Sequence, residues 1–425
     1  MSTRRGFILA LTILFFVLII YFITPDIFEL YEMQILDWQM RLKGPTNPGN
    51  LVKLILVDTS SRKQYGMRGE FRQELATVIN NLKAGNARVV GLDLYFLADM
   101  KNGSNTSDAQ LAAAVKEAGN VVIGYNWDYN LPENRLATAE AIGRRQLLLA
   151  TRNVDEPGFT PEQIPQEARI ASHNITRHAA SVGYFSVIVD PYLYARKVPA
   201  TLSYKNRLYY PFSLAIVRTF LNQDGYGIHL NQEKDSLTGP QLGNIKLQPD
   251  HLGYLWFNYY GSTEAFETLR FDDVVKNGIP PGFANGAIVL IGVSGEDSGD
   301  LFATSFDIAS PGVVLHATAV ANALSNGFLW RDNMVRIIEI VILALITLIM
   351  GLLLPRLAPS LALFISPTLM VLLIVGSHYV LVHNSMWIHL IMPSFLIIIL
   401  QLVIFGYRVH EAEHQAFLND LESES

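Results

Sequence analysis

The sequence predicts an α/β extracytoplasmic domain with a mostly parallel, Rossmann-like layered sheet, held by four transmembrane α-helices. Three observations lead there. Half of the 425 residues are apolar, which is high for a protein living only in water. Four apolar runs, residues 6–23, 337–354, 361–382 and 387–407, are close to the length that crosses a bilayer as a helix. Between the first run and the other three, short valine- and leucine-rich segments alternate with segments of helical period.

The first run follows Arg4 and Arg5, as a signal sequence would, but no small-x-small cleavage site comes after it; the chain continues "YFITPDIFEL". It reads as a retained anchor. The two arginines place the N-terminus in the cytoplasm, so residues 24–334 are exported and the three later crossings return the C-terminus inside. Arg356 and Arg408 agree with this. Arg331 and Arg336 fall on the outer side, but a long domain is translocated largely regardless of charge. The layout is that of a bacterial inner (plasma) membrane protein with its large domain in the periplasm. Residues 1–23 form the cytoplasmic start and first span, 335–407 the three later spans, and 408–425 a short acidic cytoplasmic tail.

There is no cysteine, which removes thiol catalysis and cysteine metal sites. An exported domain of about 310 residues without disulfides is large enough to rely on its core. Net charge is −6 and no basic stripe is present, so nucleic acid is not an expected partner.

After the anchor, "DIFELYEMQILDWQMRL" begins with the capping-box pair Asp26 and Glu29. Ile27, Tyr31, Ile35, Trp38 and Leu42 then recur at helical spacing, predicting a helical stalk over 24–45 with one apolar stripe. That stripe either packs on its own domain or makes a dimer contact. "LVKLILVD" (51–58), "ARVVGLDLYF" (87–96) and "NVVIGY" (120–125) read as strands. Helices with faces Phe71, Leu75, Val78, Ile79, Leu82 and Leu111, Ala112, Val115, Ala118 separate them. This β-α-β-α-β order implies a parallel sheet covered on both faces.

Residues 126–180 are polar and interrupt the rhythm, as an insertion at the sheet edge with a helical stretch near "RLATAEAIGRRQLLLA". Beyond it come a strand at 182–190, a hairpin around Lys205 and Asn206, a helix, and an aromatic strand at 253–261. "FDDVVKNG" reads as a short helix stopping at Gly278. The last strand runs into the loop "AIVLIGVSGEDSGD" (287–300), followed by a helix with Ser310 as N-cap and Pro311 as its first residue.

That loop is not a phosphate loop, because no lysine follows Gly292, Gly295 and Gly299. It lacks the Gly-x-Gly-x-x-Gly spacing of a dinucleotide site. "GVSGE" puts Glu296 where a hydrolase elbow needs its last glycine. Ligands of open parallel sheets bind beyond the carboxyl ends of the strands, and the residues expected there are polar. Asp58 ends the first strand, with Ser60 after it; Asp93 lies near the end of the second; Ser294, Asp297 and Asp300 follow the last. His316 lies on the next helix. These seven are the candidate ligand-binding residues, for a hydrated cation or a polar ligand, and the alternative is that each Asp caps a helix or closes a turn. No catalytic residue, resident metal or cofactor is expected. Glu339, about one turn into the second span, is a suspect as an intramembrane carboxylate, and pairing with Arg336 would account for it equally. His378, His383 and His389 read as interfacial.

The ordered series "LILVDTSS", "VVGLDLYF", "GNVVIGY", "VGYFSVIVDPYLYARKVP", "YYPFSLA", "IVLIGVSGEDSGDLFATSF" and "SPGVVLHATAVANALSNGFL" resembles the second class of CHASE domains, extracellular sensory modules of cyclases and histidine kinases. The order of crossings is similar too. The family usually has an Asp-Gly-Arg turn where this chain reads "DPYLYARKV", and usually continues into a kinase or cyclase where this chain has only "RVHEAEHQAFLNDLESES". The resemblance implies a non-enzymatic receptor that takes a small ligand or an envelope protein. It would act as a homodimer or through a partner membrane or cytoplasmic signalling protein. The output domain would then sit on a separate protein, or the chain is cut from a longer one. The competing reading is a structural or docking subunit of an envelope complex.

Overall fold

A computed structural model describes the chain apart from residues 1–2, 24, 68, 95–105, 128–167, 170–172, 186, 191–193, 205–206, 223–226, 232–235, 243–244, 251–252 and 425. The predicted helical stretch at 135–150 and the turn at Lys205 and Asn206 lie outside the described residues. So do the middle of "DPYLYARKV" and most of the insertion. Two compact units are present, Met1–Lys43 with Arg331–Ser425, and Gly44–Trp330.

The unit Gly44–Trp330 is α/β. Six strands pair in parallel: β1 (Val52–Val57), β2 (Val89–Asp93), β3 (Val121–Trp127), β4 (Ser181–Tyr184), β5 (Glu267–Arg270) and β6 (Ile288–Val293). Their order is β5-β1-β6-β2-β3-β4, and the short segment Ala168–Arg169 adds to β3 in the opposite sense. The strand that closes the sequence therefore lies at the centre, between the first two. Of the six parallel strands, β5 is the one that hydrophobic pattern did not predict: "ETLR" is an edge segment with no fully buried residue.

Side chains alternate strictly across this sheet, as the two-residue strand period requires. Ile55, Leu92, Ile123 and Ile291 point into one apolar layer with α4 (Gly69–Ala84), α5 (Thr106–Ala118) and α7 (Phe271–Asn277). Leu54, Val89, Val122 and Leu290 point into the other, with α6 (Phe212–Leu221) and α8 (Gly312–Ser325). The predicted face of α4, Phe71, Leu75, Val78, Ile79 and Leu82, is wholly buried. Glycines let α6 and α8 come close to the second layer. A Cβ on Gly183 would stand 2.5 Å from the Phe212 Cα, and one on Gly292 would stand 2.5 Å from the Val313 Cβ.

Helix ends obey local rules. Asp58 caps α3 (Thr59–Tyr65) by accepting from the Ser61 amide, and α7 stops at Gly278 with φ 75°. α8 begins one residue later than Pro311 suggested. Ser310 and Pro311 pair with Phe302 and Leu301, and this holds Pro311 extended.

The second unit contains four helices long and apolar enough to cross a membrane: α1 (Thr3–Ile23), α9 (Asn333–Leu353), α10 (Pro359–Asn384) and α11 (Ile391–Glu424). Its core joins Ala10 and Val17 to Leu343, Met350, Leu396 and Leu400. α11 runs unbroken through the predicted tail; its 34 residues span about 51 Å, well beyond a hydrocarbon layer of about 30 Å. At one end of this unit Arg408 donates to the carbonyls of Leu354 (2.5 Å) and Leu357 (2.8 Å). At the other end Glu339 is 2% exposed. Its carboxylate accepts from the Tyr21 hydroxyl (2.7 Å), Arg331 Nη2 (2.8 Å) and the His389 amide (2.9 Å). Arg331, eight residues back, thus pairs with Glu339, a partner that local spacing, which offered Arg336, did not reveal. α2 (Pro25–Lys43) belongs to this unit as well, held by Glu32, whose carboxylate accepts from the amides of Leu390 (2.9 Å) and Ile391 (2.5 Å).

Candidate functional site

The strand order brings the carboxyl ends of β1, β6 and β2 side by side. β1 runs in register with β6 from Val52↔Ile288 to Val57↔Val293, and β6 with β2 up to Gly292↔Asp93. Asp58, Ser294 and Asp93 consequently leave the sheet as neighbours. Six of the seven candidate residues divide there into three settings with different chemistry, and His316 stands apart.

Asp58 and Ser60 are engaged in local structure. Asp58 Oδ1 accepts from the Ser60 hydroxyl (2.7 Å), the Ser61 amide (2.8 Å) and the Ser61 hydroxyl (2.9 Å). Its Oδ2 accepts from Arg270 Nε at 2.9 Å, and Arg270 Nη2 also reaches the Ser60 hydroxyl at 2.8 Å. Partial burial works to raise the Asp58 pKa, but the hydrogen bonds from Ser61, Ser60 and Arg270 outweigh it and hold the carboxyl down at about 2. A carboxylate with this many donors is a helix cap and strand tie. Arg270 escaped sequence reading because the strand that carries it, β5, did.

Ser294 and Asp297 form the second setting, around Arg62. Arg62 Nη1 donates to the Ser294 carbonyl at 2.7 Å and to the Val57 carbonyl at 3.3 Å, bridging the ends of β6 and β1. The same guanidinium pairs with Asp297, which also accepts from the Thr59 hydroxyl. The Thr59 bond and the Arg62 charge hold Asp297 below its usual range. Sequence reasoning missed Arg62 and Thr59. The available signal was their place in "DTSSRK", one helical turn from the end of β1.

Asp93 and Asp300 form the third setting, and it differs in kind. Asp93 is 7% exposed and its Oδ2 has no hydrogen-bond partner among the described residues. Asp300 is half-buried at the N-terminus of α8, where its carbonyl accepts from the Gly312 amide at 3.1 Å. Its carboxyl fills the space a Cβ on Gly312 would need. Burial raises Asp93 well above the ordinary carboxylate range, and the charge of Asp300 adds to the rise. Burial raises Asp300 too. Two carboxyls in one partly dry place cannot both ionise cheaply, so the site favours holding a proton. A ligand that brings a hydrogen-bond donor or a positive charge would meet the same need.

His316 lies apart from this chemistry. It packs between the rings of Phe212 and Phe185, centroids 5.3 and 5.7 Å away, and burial lowers its pKa to about 4. It is a neutral core residue at pH 7. Among the described residues no group of three or more His, Asp or Glu side chains is arranged to hold a metal ion.

Comparison with known proteins gives one finding beyond the geometry. A family model described as the CHASE2 domain matches residues 11–353. No curated protein and no solved structure matches the chain.

Proposed function

The chain belongs to the CHASE2 domain family, a family of extracellular sensory domains, and from that premise we propose that it is a membrane-anchored receptor. In this reading α1, α9, α10 and α11 all cross the bacterial inner membrane. The Rossmann-like unit Gly44–Trp330 lies outside, and both termini lie in the cytoplasm. A ligand or envelope partner engages the rim at Asp93 and Asp300. The signal is conformational, it passes across the membrane to a cytoplasmic output, and residues 1–425 turn over no substrate themselves.

The observation that carries the reading is the orphaned Asp93 carboxyl. Buried polar oxygens are nearly always paired, and an unpaired one costs about 1–3 kcal/mol. A protein keeps that cost where something else supplies the partner. The position supports it too, because the carboxyl ends of strands are where open parallel sheets bind ligands. Preference for one of two arrangements by a coupling of about 1–3 kcal/mol is sufficient for a receptor.

The test is thermal unfolding of the full chain in mild detergent against small amines, ions, polar metabolites and exported proteins, with Asp93→Asn run in parallel. A ligand at a hundred times its Kd stabilises by about 2.7 kcal/mol. The reading expects one that raises the Tm of the native chain and leaves Asp93→Asn unmoved. If nothing shifts the native chain, or the variant responds equally, the rim is not the binding site.

A further inference from the structure

α2 is apolar on two sides. Of the stripe expected either to pack on its own domain or to make a dimer contact, Tyr31, Trp38 and Leu42 are 55%, 46% and 55% exposed, and Ile35 is half-buried. The opposite side is mixed: Met33, Leu36 and Met40 are buried there, 8%, 3% and 1% exposed, and Glu32, Gln39 and Asp37 are buried on its flanks, 1%, 1% and 4% exposed. These polar groups are satisfied. Glu32 holds the two amides at the start of α11, and Gln39 Nε2 donates to the Ser377 hydroxyl at 3.1 Å.

A helix in water hides one apolar stripe and shows a polar face. A second apolar stripe left open, as here, is stable where the surroundings are themselves apolar. The depth of α2 in its unit agrees. Its partner Ser377 lies seven residues inside the C-terminal end of α10 (Pro359–Asn384), about 10 Å down the helix. The surface of α10 at that level is also apolar and open, with Leu372 and Val375 exposed. Gln34 and Arg41 are exposed too; at 100° per residue they fall to one side of the Tyr31–Trp38–Leu42 stripe. That is the section of an interfacial helix: one side on protein, an aromatic and aliphatic side on acyl chains, a polar edge among headgroups.

We propose that α2 is a membrane-interface helix whose Tyr31, Trp38 and Leu42 dip into the outer-leaflet lipid. The partner is the bilayer, and the stripe is not a seam with a second copy of the chain. The proposal rests on the four-span reading given above.

The chain has no cysteine, so single-site spin labels can be placed on it directly. Tyr31→Cys and Leu42→Cys, both at exposed positions, are labelled in the full chain in liposomes of phosphatidylethanolamine and phosphatidylglycerol. Leu372→Cys on α10 serves as the lipid reference. Power saturation compares collision with oxygen, which concentrates in lipid, and with a nickel chelate, which stays in water. Both α2 labels are expected to favour oxygen in the sense that Leu372→Cys does, at a shallower depth. If the α2 labels favour the nickel chelate while Leu372→Cys favours oxygen, the helix faces water and the proposal is overturned alone. If the α2 labels avoid both reagents and broaden each other between copies, the stripe is a dimer seam, which overturns it equally. A reference label that favours the nickel chelate would sink the four-span reading and this proposal with it.

Discussion

Asparagine at position 93 tests the central feature of the site. The substitution keeps the shape of the side chain and removes its charge and its titration. In the folded chain both carboxyls have raised pKa values, by burial and, for Asp93, by the charge of Asp300. A raised carboxyl pKa means that the folded state holds protons the unfolded state has released. The contribution to stability is therefore fully present below the unfolded pKa of about 3.9, and it is lost as pH rises toward the folded value. At pH 7 the native chain bears this cost and Asp93→Asn does not. The gain has a second bound in the unpartnered Oδ2, an orphan worth about 1–3 kcal/mol. Around 2 kcal/mol corresponds to a rise of roughly 3–4 °C in Tm for a unit of this size. The assay is thermal unfolding of the full chain in detergent from pH 4 to pH 8, native against variant. The variant should melt higher at pH 7 to 8, with the difference closing as pH falls to 4. A lower Tm at pH 7, or a difference of the same size at both ends, would refute the raised-carboxyl account.

His316 predicts the opposite slope. Buried and neutral, with a pKa of about 4 against an ordinary 6.5, it contributes stability that is present above pH 6.5 and lost as pH falls toward 4, about 3 kcal/mol in all; His316→Phe should remove that acid sensitivity in the same melts, and an unchanged pH profile would count against a neutral core histidine. Arg331→Ala leaves Glu339 buried without its cation, a change worth about 3–5 kcal/mol, whereas adding Glu339→Gln should recover part of the loss. The midpoint of heat-induced aggregation in detergent reads this, and a neutral single substitution would show that the pair carries little.

Most of what lay along the chain was legible without coordinates. Four apolar runs announce candidate spans because hydrocarbon accepts little else. β1, β2, β3 and the faces of α4 and α5 announce themselves because hydrophobic periods of 2.0 and 3.6 are local properties of the backbone. β5 stayed hidden because an edge strand such as "ETLR" need bury no complete side chain, and Arg270, the partner of Asp58, stayed hidden with it. The helix after the loop was read one residue early, since the pairing of Ser310 and Pro311 with Phe302 and Leu301 is a contact that capping rules do not see.

The sequence by itself therefore determined the kinds of element, their order, and the family resemblance that rests on that order. Tertiary structure alone decided which residues became neighbours. It set β6 between β1 and β2, so that Asp58 and Asp297 met Arg270 and Arg62 while Asp93 and Asp300 were left to each other. It also turned the apolar stripe of α2 outward. The physical reason is the same in both cases: periodicity fixes which residues share a face, but what that face meets is set by strand order and by the surrounding medium, and neither is encoded within a single element.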